Sequence, residues 1–279
     1  MEGADLVAAG IAAGRRPQVV FVREERAEEL GEAFAVMAGG RGGAVGAGSP
    51  AGAGESPPPA VYPVDERVAH RLSTLETPPD ALAVFPLPER PPLASLRVLA
   101  AAGLVVYADG IADPGNMGTL LRAAVAFGAA AVAAAPGSAD LYGPKTVRAS
   151  MGAVFGVPLW PELPLRELLE QLPGAEVYGL AAHGGTPIAE AARDRMPITE
   201  AAHGAPAVLV VGAERPGLSA EALACVTQLV TIPLAPAAAG AVESLNAGVA
   251  GAIALYELSR RSAGAPQDPS RRSPAPDQG

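Results

Sequence analysis

The chain has 279 residues, of which 49% are apolar and only 4% aromatic, and its formal net charge is −9. This length and apolar share allow one large or two modest domains with aliphatic cores, and they exclude a helical membrane protein because no run approaches the ~18 apolar residues of a span. Since Cys225 is the single cysteine and the N-terminus has no secretory signal pattern, we expect a soluble cytoplasmic protein without a membrane partner.

The first 86 residues predict a small α/β unit interrupted by an insertion. Residues 38–60 are rich in glycine, alanine, serine and proline and hold almost no large apolar side chain. Because such a segment does not repay the entropy of ordering, we expect it to be disordered. The predicted elements around it are a helix over 2–14, a strand at Val19–Val22, a helix over 24–37, a strand at Val61–Val64, a helix over 65–73 and a strand at Ala81–Phe85.

Four prolines between positions 86 and 92 indicate a linker over residues 87–101. Apolar strands then alternate with helices over residues 102–261, and the Pro- and Ser-rich tail over 262–279 is expected to be disordered. Continuous apolar strands separated by helices predict a parallel sheet covered on both faces. The predicted strands are 103–108, 129–135, 176–182, 207–211 and 228–232, and the predicted helices are 116–127, 144–152, 164–171, 218–225 and 244–260.

The first motif runs from Asp113 to Arg122, where a strand ends and a helix begins. Asn116 is a candidate N-cap of that helix. Arg122 lies on an otherwise apolar helix, where it reaches solvent, pairs with a carboxylate or grips a phosphate with its planar guanidinium. Residues 114–151 hold three basic side chains and a single acidic one, a local net charge of +2 in an acidic protein, and this favours a phosphate partner.

The second motif, Gly212-Ala-Glu-Arg-Pro-Gly217, follows the apolar strand 207–211. Glycine at the carboxyl end of a buried strand allows the backbone to approach a ligand closely, although a tight turn alone also explains both glycines. Glu214 either caps the following helix or faces a ligand.

The third motif comprises Ile232-Pro-Leu234, a loop rich in alanine and proline, and Ser244-Leu-Asn246. Ser244 is predicted to be the N-cap of the helix that follows. Asn246 would lie in the first turn, where its side chain bonds either the local backbone or a ligand.

Other motifs are weak or missing. His183 and His203 each precede a glycine in predicted loops and have no cysteine or acidic partner at metal-ligand spacing, so we expect no metal site. The chain contains no glycine-rich phosphate loop and no G-x-S-x-G nucleophile elbow.

In their order and spacing, the three motifs resemble those of the SpoU (TrmH) family of RNA 2′-O-ribose methyltransferases. The resemblance covers residues 103–260 and includes Gly143-Pro-Lys-Thr-Val-Arg-Ala-Ser150. It implies an α/β catalytic domain of the SPOUT type, with a parallel sheet and a C-terminal trefoil knot. Residues 1–86 more loosely resemble the small RNA substrate-binding domain that many members carry.

The family resemblance also implies the chemistry of the site. It implies S-adenosylmethionine as cofactor, tRNA or rRNA as substrate, and a homodimer with its active sites near the subunit interface. A guanidinium stays protonated in proteins and is a poor base, so we expect Arg122 to grip the phosphate beside the target ribose while that phosphate or a water takes the proton. The residues implied are Asn116, Arg122, Glu214, Ser244 and Asn246 for catalysis and Gly212, Gly217, Ile232, Leu234 and Leu245 for the cofactor.

The chain departs from the family pattern in three ways. The loop from Leu234 to Glu243 is longer than expected, the chain begins where members usually have an earlier strand and helix, and the net charge is acidic. Two alternatives are a non-catalytic RNA-binding or ribosome-assembly factor on the same scaffold and a methyltransferase acting on a protein or small molecule. The target RNA and nucleotide are not readable from the motifs.

Overall fold

The computed structural model describes residues 1–37, 59–194, 205–235 and 243–259. The predicted tail and nearly all of the predicted insertion lie outside these described residues. No helix in the described part of the chain is long and apolar enough to cross a membrane.

A small three-stranded sheet lies at the N-terminal end of the chain, with the strand order β2-β1-β3. Strand β1 pairs parallel with β2 and antiparallel with β3. Alternate residues of β1, Val20 and Val22, are fully buried against α1 and α2, whereas Phe21 lies on the other face beside Tyr62. The elements are α1 (Ala4–Ala12), β1 (Val19–Arg23), α2 (Ala27–Met37), β2 (Ala60–Val64), α3 (Glu66–Leu72) and β3 (Ala81–Val84).

The second sheet has seven strands in the order β6-β5-β4-β9-β7-β10-β8, and every pairing in it is parallel. Its central strands are buried along their whole length, as continuous apolar runs predict. Its strands are β4 (Val105–Asp109), β5 (Ala131–Ala134), β6 (Leu159–Trp160), β7 (Glu176–Leu180), β8 (Thr186–Pro187), β9 (Ala207–Gly212) and β10 (Gln228–Thr231).

Helices cover both faces of this sheet, which confirms the predicted architecture. One core contains Val106 with α5, α6, α8 and α10, and the other contains Val105 with α4, α7 and α9. Successive residues of β4 thus point into opposite cores, as the strand period requires. The helices are α4 (Ser95–Ala100), α5 (Pro114–Ala126), α6 (Pro144–Ser150), α7 (Leu165–Glu170), α8 (Ile188–Asp194), α9 (Ala220–Cys225) and α10 (Ala247–Ser259).

Five elements differ from the sequence prediction. Helix α4 lies inside the predicted linker 87–101 and buries Leu96 against the large sheet. The edge strands β6 and β8 were not predicted because two residues are too few to show a strand period. Helix α8 was missed as well; its buried face is mostly alanine, which gives a weak apolar pattern. The predicted helix 2–14 begins only at Ala4, because Glu2 pairs with Leu82 at the edge of the small sheet.

Glu2 lies at the centre of a polar cluster that connects the edge of the small sheet with helix α6 on the large sheet. The Glu2 carboxylate is 8% exposed and lies 3.4 Å from the guanidinium of Arg148 on α6. It accepts hydrogen bonds from the hydroxyls of Ser73 and Thr74 and from the Thr74 amide. Burial raises the pKa of Glu2, but the hydrogen bonds from Thr74 and Ser73 and the charge of Arg148 outweigh it and lower the pKa below its ordinary value of 4.5.

Replacing Glu2 by glutamine should therefore destabilise the protein by about 1–3 kcal/mol at neutral pH. Because the folded pKa is below the unfolded value, the ionised carboxylate stabilises the fold above pH 4.5, and this contribution is lost as the pH falls through the folded pKa. Urea unfolding at pH 7 and at about pH 3 checks this: the difference between wild type and Glu2→Gln should shrink at the lower pH. The exposed Glu25, paired with Arg23, is the control, and Glu25→Gln should leave the stability unchanged.

Candidate active site

The carboxyl ends of the central strands carry the site. The parallel register pairs Asp109 with Gly212 and Leu180 with Val211, so the loops that follow β4, β7 and β9 lie side by side. A cleft of about 640 Å³ opens between the loops after β7 and β9 and the start of α10. It is lined by Leu180, Ala181, Ala182, His183, Val211, Gly212, Ala213, Glu214, Arg215, Pro216, Gly217, Leu218, Leu223, Leu229, Ile232, Leu234, Glu243, Ser244, Leu245, Ala247 and Ala250.

The turn after β9 is closed tightly on itself. Ala213 and Gly217 exchange two backbone hydrogen bonds of 3.1 and 3.0 Å. Gly217 has φ +70°, a conformation that side chains disfavour. The returning chain crosses Gly212 so closely that a Cβ there would lie 2.4 Å from the carbonyl carbon and oxygen of Gly217. The glycines of the second motif are thus required by the turn itself.

Alanine at position 212 should therefore destabilise the protein by about 3 kcal/mol, because backbone atoms cannot yield to the added methyl group. Chemical denaturation measures the effect. Gly31 is the matched control: it lies in α2, and a Cβ there would meet only Val61 at 3.6 Å, an ordinary contact. Gly31→Ala should stabilise the helix by about 0.5–1 kcal/mol. Equal stability of the two variants would contradict the close backbone approach.

Three side chains, one from each motif, meet beside the cleft. Of the three, only Glu214 is among the described residues that line it. The Glu214 Oε1 atom accepts hydrogen bonds from Asn116 Nδ2 at 2.8 Å and from Asn246 Nδ2 at 2.7 Å. Asn246 Nδ2 also donates to Asn116 Oδ1 at 2.7 Å. These residues are 98 and 130 positions apart along the chain from Asn116, and only the parallel sheet brings them together.

The orientation of both amides follows from the network. The Val249 backbone amide donates to Asn246 Oδ1 at 3.1 Å, so the Asn246 amino group must face Asn116 and Glu214. An ionised carboxylate only accepts hydrogen bonds, which turns the amino group of Asn116 towards Glu214 too. Among the described residues the second carboxylate oxygen of Glu214 has no partner, and the Glu214 side chain is exposed. That oxygen is available to a ligand.

Helix capping differs from the prediction at two positions. Asp113, not Asn116, caps α5 and accepts from the Asn116 amide at 2.8 Å. The oxygen of Asn246, not that of Ser244, accepts the free amide at the start of α10. Glu214 does not cap α9, since Ser219 does so. The side chains of Asn116 and Glu214 therefore do not act as helix N-caps.

The three basic residues of segment 114–151 lie in different environments. Arg122 is exposed on α5, does not line the cleft, and makes no ion pair or hydrogen bond within the described part of the chain. Lys145 is also exposed. Arg148 is held by Glu2 and by Thr74, so its charge is already paired.

All five residues predicted to hold the cofactor line this one cleft, and so does Ser244, which has no hydrogen-bond partner among the described residues. Sequence reasoning missed three contributors. The loop 181–183 enters the cleft only because β7 pairs with β9. Buried Asp109 accepts from the Ser219 amide at 2.6 Å and anchors the far side of the turn, and its position at the end of an apolar strand was an available signal. Arg215 belongs to the second motif and lines the cleft, but nothing in its local sequence indicated a function.

The described ranges contain no group of three or more histidine, cysteine, aspartate or glutamate side chains able to hold a metal ion.

Comparison with known proteins extends these observations. A model of the SpoU rRNA methylase family matches residues 103–256. The 23S rRNA (guanosine(2553)-2′-O)-methyltransferase RlmP of Bacillus subtilis is 34% identical over 199 residues, which are 71% of this chain and 71% of that protein. The mitochondrial rRNA methyltransferase 3A of Danio rerio is 28% identical over 68% of this chain. The match covers 51% of that protein, so the chain spans about half of its length.

Solved structures agree with this relationship. A putative RNA methyltransferase of the TrmH family from Porphyromonas gingivalis has a TM-score of 0.68 and 31% identity, covering 94% of this chain and 89% of its own. The AdoMet-bound rRNA methyltransferase from Sinorhizobium meliloti has a TM-score of 0.67 and 26% identity, covering 93% and 86%. Fold, motif order and family match agree, and the chain belongs to the SpoU rRNA methylase family.

Proposed function

We propose that this protein transfers a methyl group from S-adenosylmethionine to a ribose 2′-hydroxyl of ribosomal RNA. The observation that carries the proposal is the meeting of Asn116, Glu214 and Asn246 beside a cleft whose walls contain every residue predicted to hold the cofactor. Family membership supports the reaction class, and the B. subtilis relative is named for 2′-O-methylation of 23S rRNA.

The cleft fits S-adenosylmethionine in size and chemistry. Its volume of about 640 Å³ is in the range of sites for ligands of this size. Leu218, Leu223, Leu229 and Ile232 provide apolar walls for a nucleoside base. Glu214 and Glu243 supply negative charge for a cationic ligand. When bound, the cofactor supplies an electrophilic methyl group on a sulfonium.

The side chains of the site act on the RNA. We assign to Asn116, Glu214 and Asn246 the task of holding the ribose in line with the methyl donor, because alignment supplies much of the acceleration in such a transfer. Ser244, at the wall of the cleft, completes the set of polar contacts. Arg122 clamps the phosphate next to the target ribose, and the hydroxyl proton passes to that phosphate or to a water.

Arg122 reaches the reaction from a second protomer. It lies six residues after Asn116, about 9 Å along the helix axis, and it is exposed and does not line its own cleft. Helices α5 and α10 pack on each other and leave Val125, Val249 and Tyr256 exposed by 37, 44 and 45%. We propose that this apolar surface forms a two-fold dimer interface and places the Arg122 of each protomer at the cleft of the other.

Three finer features complete the proposal. Residues 1–86 serve as the RNA substrate-binding domain beside a catalytic domain over 102–261. The segment after β9 passes through a trefoil knot, which is supported by the insertion of β10 between β7 and β8. The enzyme works in the cytoplasm on ribosomal RNA.

Incubating the protein with in vitro transcripts of 16S and 23S rRNA and labelled S-adenosylmethionine tests the activity. We expect label in RNA, recovered after nuclease digestion as a 2′-O-methylated nucleoside. Mapping ribose methylation in cells with and without the gene identifies the nucleotide. Label on a base, or RNA binding without any methyl transfer in either assay, would contradict the proposal, and the second result would favour an assembly factor.

A further inference from the structure

Arg215 differs from the other charged groups of the cleft. It is the only arginine or lysine among the described residues that line it. The cleft's two carboxylates, Glu214 and Glu243, leave its mouth otherwise acidic. Arg215 is exposed and has no hydrogen bond or ion pair within the described ranges. By contrast, Arg23, Arg26 and Arg148 are each paired with a carboxylate.

The backbone holds Arg215 in one place. It lies at the centre of the turn that Ala213 and Gly217 close with two hydrogen bonds, and Pro216 follows it with a restricted φ. Its neighbour Glu214 is fixed by two asparagines. A side chain on such a turn starts from a fixed point beside the proposed reaction centre, so less entropy is lost when it binds a ligand.

We propose that Arg215 binds a backbone phosphate of the substrate RNA at the mouth of the cleft, on the strand that carries the target ribose. The inference rests on the proposed function, because it needs an RNA strand lying across the Asn116–Glu214–Asn246 network. A guanidinium is suited to this role, since its planar fork donates two parallel hydrogen bonds to a phosphate.

The charge of the whole protein explains why a phosphate contact is needed here. The chain carries a formal charge of −9, which opposes the approach of a polyanion. Arg148 is already neutralised by Glu2, and the Arg122 that the proposed dimer brings to this cleft already holds the phosphate next to the target ribose. Arg215 therefore supplies positive charge at the point where the RNA must come closest to two carboxylates.

The test compares wild type with Arg215→Ala and Arg215→Lys. Arg166→Ala is the matched control, because Arg166 is exposed on α7 and does not line the cleft. Binding of an in vitro 23S rRNA transcript is measured by filter binding over a series of salt concentrations. Binding of S-adenosylmethionine is measured by calorimetry without RNA, and circular dichroism confirms that each variant is folded.

We expect Arg215→Ala to weaken RNA binding on the order of 10-fold and to lower the slope of log affinity against log salt by about 0.7–0.9, the value of one phosphate contact. Arg215→Lys should restore the slope but only part of the affinity, since lysine lacks the fork. In turnover, KM for RNA should rise while kcat is kept. Affinity for S-adenosylmethionine should stay unchanged, and Arg166→Ala should behave like wild type.

Two results would overturn the proposal. Weaker cofactor binding with an unchanged RNA salt slope would assign Arg215 to the cofactor's carboxylate. Unchanged binding of both ligands would make it a solvated surface residue. The salt slope is read from binding alone, so a wild-type protein that binds the transcript but transfers no methyl group refutes the proposed function separately.

Discussion

Mixing inactive Arg122→Ala subunits with inactive Glu214→Ala subunits should restore about a quarter of wild-type activity, if each site combines two protomers of a symmetric dimer. Alone, Arg122→Ala should lose on the order of 10²–10³-fold in kcat, the usual cost of removing one group that stabilises charge in a transition state. Random exchange makes half of the dimers mixed. In each mixed dimer one cleft has both Glu214 and the partner's Arg122, and the other has neither.

Mixed dimers are expected to recover activity because Arg122 is exposed and does not line the cleft of its own chain. Subunits are exchanged by dilution and reconcentration, differently tagged chains are co-purified to prove that mixed dimers form, and methyl transfer to the 23S transcript is measured. Asn246→Ala mixed with Glu214→Ala is the control. Both residues belong to one network in one protomer, so that mixture should stay inactive. Mixed dimers without recovered activity would place Arg122 in the site of its own chain.

The second large effect is expected from Glu214. Removing its carboxylate in Glu214→Ala leaves Asn116 without the acceptor that turns its amide and removes one of the two acceptors of Asn246. We expect a loss on the order of 10²-fold in kcat, because misaligned reactants forfeit much of the benefit of proximity. Glu214→Gln keeps an oxygen that accepts both hydrogen bonds, at the lower strength of a neutral pair, and should retain about a tenth of the activity.

Steady-state kinetics of both variants, with the binding of S-adenosylmethionine measured separately, check this expectation. A purely orienting role predicts that the loss appears in kcat and that Glu214→Gln is about tenfold more active than Glu214→Ala. If Glu214→Gln is as inactive as Glu214→Ala while both remain folded, the negative charge itself takes part in the reaction. In that case the second carboxylate oxygen of Glu214, which has no partner among the described residues, would be the atom that takes part.

Much of the fold could be predicted from the sequence because strong local patterns decide it. The apolar strands β4 and β9 are buried on both faces and had to be central in a parallel sheet. The edge strands β6 and β8 could not be predicted, because each consists of two residues that pair only where a neighbouring strand already exists. Helix α4 was not predicted because prolines precede it. It is buried by packing in the core that contains Val105.

The sequence by itself determined which segments form the candidate site, because glycines and polar side chains at strand ends are unusual enough to be recognised in one dimension. It assigned wrong caps to α5 and α10, since Asp113 and Asn116, or Ser244 and Asn246, are all good capping residues and local propensity does not choose between them. Only the tertiary structure decided that Asn116, Glu214 and Asn246 share one set of hydrogen bonds. The physical reason is that the strand order brings distant loops to one edge of the sheet, and this order depends on packing across the whole domain.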